Sequence, residues 1–226
     1  MKIKSELLAK IALLVIGSIA IVGLNAYVSY LDMMAERKLK TKHLVESRQG
    51  ILKFYHDKAI QGTITEEVAK KEAKAAIRNI RYDQNEYFWI QTDDKTPTML
   101  MHATTPELEG KILNDKKFDC VTHIQKNMHS KIMETIGKTN LFIAISELAK
   151  ENGEGFIFYQ WTKPQADGTL STQSYPKISY FQAYKEWGWI VGSGIYVDDV
   201  KESVLKNLMM SLLLALISIF VWFKLR

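Results

Sequence analysis

Two uncharged apolar runs, one at each end, constrain this 226-residue chain more than any other feature. Residues 11–31, between Lys10 and Asp32, hold no formal charge, and 21 residues are about what a helix needs to cross ~30 Å of hydrocarbon. Residues 207–223, between Lys206 and Lys224, are equally uncharged; Val204 and Leu205 extend that run to spanning length. The averages of 47% hydrophobic and 24% charged residues therefore describe neither the ends nor the ordinary soluble sequence between them. Two spans put both termini on one side of a membrane and the long middle on the other, and long loops translocate largely regardless of their charge. The expected organisation is a cytoplasmic N-terminus (1–10), a first transmembrane helix (11–31), an extracytoplasmic domain with a stalk helix (32–203), a second transmembrane helix (204–223) and a cytoplasmic tail (224–226). In a bacterial cell this is a two-pass inner-membrane protein with a periplasmic domain. A cleaved secretory signal is the competing reading, with Leu24-Asn25-Ala26 as a weak cleavage site. Against it, Leu31, Met34, Leu44, Val45, Ile51, Leu52, Tyr55 and Ala59 recur at helical spacing, as in a stalk continuing out of the bilayer.

Within the middle, Gly62 is a breaker and Thr63 with Glu66 forms a capping-box pattern opening an Ala/Lys/Glu-rich helix that runs to Arg81. Strand signals follow. Tyr87–Gln91 and Thr98–His102 flank an Asp-Asp-Lys-Thr-Pro turn and read as a hairpin. Residues 120–150 read as mostly helical, with Leu141, Ile145 and Leu148 on one face. Gly155–Trp161, Ser171–Phe181 and Trp187–Tyr196 are three more strands, and Asp198-Asp199 start a helix into the second apolar run. This order predicts an α+β domain with one antiparallel sheet beside a long helix.

Chemistry-bearing motifs are few. No nucleophile elbow, phosphate loop or zinc-protease motif occurs, and the one histidine pair to weigh, His123 and His129, six apart, reads as solvated helix surface rather than as metal ligands. The single cysteine, Cys120, excludes an intramolecular disulfide, and a net charge of +5 without any block of like charges offers no nucleic-acid footprint. No metal, cofactor or enzyme activity is implied. Strand alternation places Tyr159 with Trp161, Lys177 with Ser179 and Phe181, and Leu100 with His102. A lysine and a histidine among strand apolars are costly to bury unpaired, which leaves a cationic, aromatic-lined pocket for a small anion or an exposed sheet face.

The phrases Tyr87-Phe88-Trp89-Ile90, Met99-Leu100-Met101-His102, Pro106-Glu107-Leu108-Glu109-Gly110-Lys111, Gly153-Glu154-Gly155-Phe156, Tyr159-Gln160-Trp161, Lys177-Ile178-Ser179-Tyr180 and Trp187–Asp198 resemble, in this order, the single Cache sensor domain of bacterial chemoreceptors and sensor kinases. The resemblance covers about residues 30–200. It implies a PAS-like antiparallel sheet of five to six strands with a long N-terminal helix, between two membrane spans, binding small ligands such as short-chain carboxylates. It places the ligand on the sheet face beneath the long helices, with Arg81, Trp89, His102, Tyr159, Trp161, Lys177 and Tyr180 as candidate contacts. Lys177, His102 or Arg81 would donate to a carboxylate and the aromatics would form apolar walls. Alternation sets Tyr180 opposite Lys177, so at least one of the two is structural.

The functional expectation is a membrane-anchored sensor for chemotaxis or signal transduction that lacks its own output domain, either the input half of a truncated receptor or a stand-alone protein that signals through the second span to a separate signalling protein. It would form a homodimer along a stalk seam of Val45, Leu52 and Ala59. The alternative is a non-signalling extracytoplasmic binding protein serving a transporter.

Overall fold

The computed structural model describes residues 2–83, 86–165 and 167–224. Met1, Leu225 and Arg226, which belong to the two expected cytoplasmic ends, lie outside the described residues. Two compact units are present, one of Met1–Glu36 with Asp198–Arg226, the other of Arg37–Val197.

The first unit is helical. It contains the beginning of α1 (Lys2–Ile60), one continuous helix of 59 residues, and α4 (Asp198–Lys224), whose first turn carries Asp198 and Asp199 at the positive end of the helix dipole. Leu13, Ile16 and Leu24 of α1 and Leu213, Leu216 and Phe220 of α4 are all exposed. Among the described residues, the segment Ala12–Ile60 is the one helix long and apolar enough to cross a membrane.

The second unit begins with the remainder of α1. That helix ends in a left-handed turn at Gly62 (φ 72°), where the Thr63 N–H closes back on the Lys58 carbonyl at 3.0 Å. Thr63 thereby serves the end of α1 and is not the cap of the next helix. The cap is Thr65, whose hydroxyl accepts the Val68 N–H, and α2 runs over Glu66–Arg78 rather than to Arg81.

The strands are β1 (Phe88–Thr92), β2 (Met99–His102), β3 (Val121–Gln125), β4 (Met133–Glu134), β5 (Glu154–Pro164), β6 (Leu170–Tyr184) and β7 (Trp189–Tyr196). They form a single sheet in the order β2-β1-β7-β6-β5-β3-β4, antiparallel throughout. Seven strands exceed the five to six expected. The excess comes from residues 120–150, where β3 and β4 occupy ground expected to be helical and only α3 (Leu141–Asn152) is helix. The β-branched Val121, Thr122 and Ile124 favour an extended backbone, and β3 gains its hydrogen bonds from β5. The helix starts late because Asn140 caps it, accepting from the N–H groups of Phe142 and Ile143.

Each face of the sheet has its own cover. Toward α1 and α2 point Phe88, Phe156, Tyr180, Tyr184 and Trp189, met by Arg48, Lys38, Lys42, His56 and Lys74 respectively. Val45 and Leu52 are wholly buried within the monomer, so the dimer seam expected through them is not available; these stalk positions pack inward. The opposite face carries Trp89, Ile157, Tyr159, Phe181 and Ile190, which form the main core with α3 and the connection between β2 and β3. Burying sixteen residues in that cluster makes it the principal apolar contribution to stability.

Candidate functional site

Register brings three residues from separate sequence regions into one row. Tyr159 on β5 pairs with Lys177 on β6, and Lys177 pairs with Tyr196 on β7, all on the face away from α1 and α2. Gly194 is the next inward-facing position on β7, where a Cβ would lie 2.0 Å from Ser179 Oγ and 3.0 Å from Lys177 Cε. The missing side chain is what lets the lysine lie across the sheet. Gly192, one pair further, has the same function for Trp89, whose Cζ2 would be 2.2 Å from an added Cβ.

The Lys177 side chain is completely buried, and its ammonium has no hydrogen-bond partner. Its surroundings are the ring faces of Tyr87 (4.1 Å to the centroid) and Tyr196 (4.3 Å), with the Glu86 carboxylate beyond hydrogen-bond reach at 3.6 Å. Glu86 Oε1 accepts the Tyr196 N–H, while Oε2 has no hydrogen-bond partner. Burial pushes the Glu86 carboxyl above the usual carboxylate range, a shift that Lys177 partly offsets. Leaving a buried ammonium without a hydrogen bond is costly, so this arrangement does not serve stability.

His102 stands beside this cluster, paired with Trp89 across β1 and β2 and 5.0 Å from the Tyr87 ring. Its Nδ1 accepts the Thr105 N–H at 3.0 Å, which leaves the proton on Nε2. Burial, with the charge of Lys177 adding to it, pushes His102 down to about 3, so it is a neutral donor at any ordinary pH. Its backbone is held by Glu109, which accepts the His102 N–H at 2.8 Å and is gripped on both oxygens by Arg78 at 2.7 and 2.8 Å. Tyr159 shares a hydrogen bond of 2.9 Å with Ser179, and burial raises its phenol well above 10. Trp161 closes the far side, stacked at 6.2 Å on Phe118 and edge-on to Tyr159. The Trp89 indole N–H is buried without a partner. Cys120 borders the core, and burial pushes its thiol up to about 11, which suits an unreactive filler.

Of the seven residues expected at the site, Lys177, His102, Tyr159, Trp161 and Trp89 share the face covered by α3, not the face beneath the long helices. Tyr180 points the other way, to Lys42 at 3.0 Å and to Glu154. Arg81 is exposed and donates to the carbonyls of Arg78, Ile80 and Ala103. Sequence reasoning missed Glu86, Tyr87 and Tyr196. Tyr196 follows once β6 is paired with β7, but Glu86 precedes any strand and carries no periodic signal.

Chemically, a buried cation walled by aromatic rings and flanked by neutral donors offers a charge-assisted bond to a small anion. The Cache domain family matches this chain over residues 21–214. The chain belongs to the Cache family. Among relatives, the methyl-accepting chemotaxis protein McpP of Pseudomonas putida is 33% identical over 177 residues, which is 78% of this chain and 28% of McpP. The sensor histidine kinase MctS of Rhizobium johnstonii is 24% identical over 175 residues, covering 75% of this chain and 32% of the kinase. This chain thus spans about a third of the length of the curated relatives it matches. Two solved structures resemble the Cache domain described above. One, a Cache chemosensory domain studied for carboxylic acid recognition, is 35% identical with a TM-score of 0.58, covering 74% of this chain and 97% of its own. The other, a periplasmic sensor domain of a chemotaxis protein, is 36% identical with a TM-score of 0.60, covering 74% of this chain and 99% of its own.

Proposed function

We propose that this Cache domain is the extracytoplasmic sensor of a membrane-anchored receptor, and that it binds a short-chain monocarboxylate at Lys177. The observation that carries the reading is the wholly buried Lys177 ammonium without a hydrogen bond, enclosed by Tyr87 and Tyr196. A carboxylate there would take a charge-assisted bond from Lys177, with His102 Nε2 and the Tyr159 hydroxyl as neutral donors beside it. Trp89 and Trp161 would bound the apolar tail and limit its length. The structure related to carboxylic acid recognition supports this chemistry, and the chemoreceptor and kinase relatives support a role in signal transduction. The exposed apolar side chains of α1 and α4 in the first unit are those that two membrane spans would present to lipid, with the Cache domain on the periplasmic side.

The test is thermal melting of the full chain in nanodiscs against acetate, propionate, pyruvate, lactate, short amines and urea. The expected result is stabilisation by one or more carboxylates and none by amines or urea. Stabilisation by amines alone, or by no carboxylate, would refute the reading.

A further inference from the structure

If Lys177 receives a carboxylate ligand, as proposed above, the ligand arrives at a cation that already faces an internal carboxylate. Glu86 Oε2 is 3.6 Å from Lys177 Nζ, is buried, and makes no hydrogen bond. The other oxygen of Glu86 is tied to the Tyr196 backbone N–H at 3.2 Å, and its own segment is tied by the paired Tyr82 and Glu86 backbone groups. Glu86 is thus held close to the lysine, at a distance too long for a hydrogen bond. We infer that Glu86 is a resident counter-anion which the ligand displaces from Lys177, and that it takes up one proton as the ligand binds.

Lys177 and Glu86 together are neutral; adding a ligand carboxylate leaves one uncompensated negative charge, which a low-dielectric interior strongly disfavours. Protonation at Glu86 Oε2 restores neutrality, and the oxygen that receives the proton is the one that makes no hydrogen bond. The remaining groups that face Glu86 cannot take this part. Tyr82 of its own segment, Tyr159 of β5 and Tyr196 of β7 are held neutral by burial. Lys163 of β5 and Lys177 of β6 act on Glu86 only by favouring its charged form. His102, next to Lys177, already accepts a backbone N–H at the nitrogen that would be protonated. Glu86 therefore also sets specificity: one ligand charge is balanced by one proton, and a dianion would need two.

The experiment is titration calorimetry of the full chain in nanodiscs with propionate and acetate at pH 7, in two buffers of different ionisation enthalpy, repeated from pH 6 to 8. The expected result is net uptake approaching one proton per ligand and a Kd that weakens by up to tenfold per pH unit. Glu86→Gln should bind without proton uptake and with a Kd nearly independent of pH. Binding by the unaltered chain without proton uptake overturns this inference while leaving the carboxylate reading intact. If neither carboxylate binds, the reading of Lys177 falls and this inference with it. An absence of uptake in the unaltered chain overturns the inference even if the variant does not fold.

Discussion

Replacing Lys177 by Met keeps the buried stem and removes only the charge, so it separates the donor from the packing. A hydrogen bond to a charged group contributes about 1.5–3 kcal/mol, so its loss should weaken propionate binding by roughly 10- to 150-fold. At a ligand concentration of about 100 Kd the unaltered protein gains about 2.7 kcal/mol; after a 100-fold weakening the gain falls to about 0.4 kcal/mol. The folded unit Arg37–Val197 is of a size at which 1 kcal/mol moves Tm by about 2–4 °C. A ligand-induced shift of about 5–11 °C should therefore shrink to about 1–2 °C. The ligand-free protein should lose less than the ~3–5 kcal/mol usual for breaking a buried pair, because Glu86 is already biased towards its neutral form and can protonate. Tryptophan fluorescence melting in nanodiscs reads both quantities, since Trp89, Trp161, Trp187 and Trp189 lie in that unit. An undiminished propionate shift in Lys177→Met would refute the assignment of Lys177 as the donor.

Three further outcomes follow from the same geometry. His102, buried and shifted down to about 3, binds a proton only when unfolded, so it favours the fold fully above about pH 6.5; that contribution falls by about 1.4 kcal/mol per unit as pH drops towards 3. His102→Asn should flatten the acid limb of a stability–pH curve, and an unchanged limb would refute this. Gly192→Ala sets a Cβ 2.2 Å from the Trp89 ring and should cost about 1–3 kcal/mol or more, with Trp89→Leu restoring part of it in the double variant; full stability of the single variant by denaturant melt would contradict the packing. Tyr180→Phe removes a hydroxyl bonded to Glu154 and Lys42 on the helix side, so it should cost about 1 kcal/mol of stability and leave the propionate Kd unchanged; a weakened Kd by calorimetry would return Tyr180 to the site.

Strand periodicity was a reliable guide wherever a strand is long. Tyr159 with Trp161, and Lys177 with Ser179 and Phe181, do share a face, because side chains alternate with period two whatever the strand pairs with. The same alternation separates Tyr180 from Lys177. It was silent at residues 120–150, where β3 and β4 are short and gain their stability from neighbouring strands, and where an apolar helix follows directly. Helical spacing in α1 marked Val45 and Leu52 as one apolar face but could not say whether that face meets a second chain or its own sheet; the sheet takes it.

The α+β class, the continuous helix leading out of the first apolar run and a lysine set among strand apolars are legible in the residues alone, since these depend on local periodicity and composition. Only the tertiary structure decided that Tyr159, Lys177 and Tyr196 form one row, that Gly192 and Gly194 give room to the side chains beside them, and that Glu86 comes to 3.6 Å from Lys177. Those relations join positions as far apart in the chain as Trp89 and Gly192 through strand pairing, and register between distant strands is set by the packing of the whole sheet.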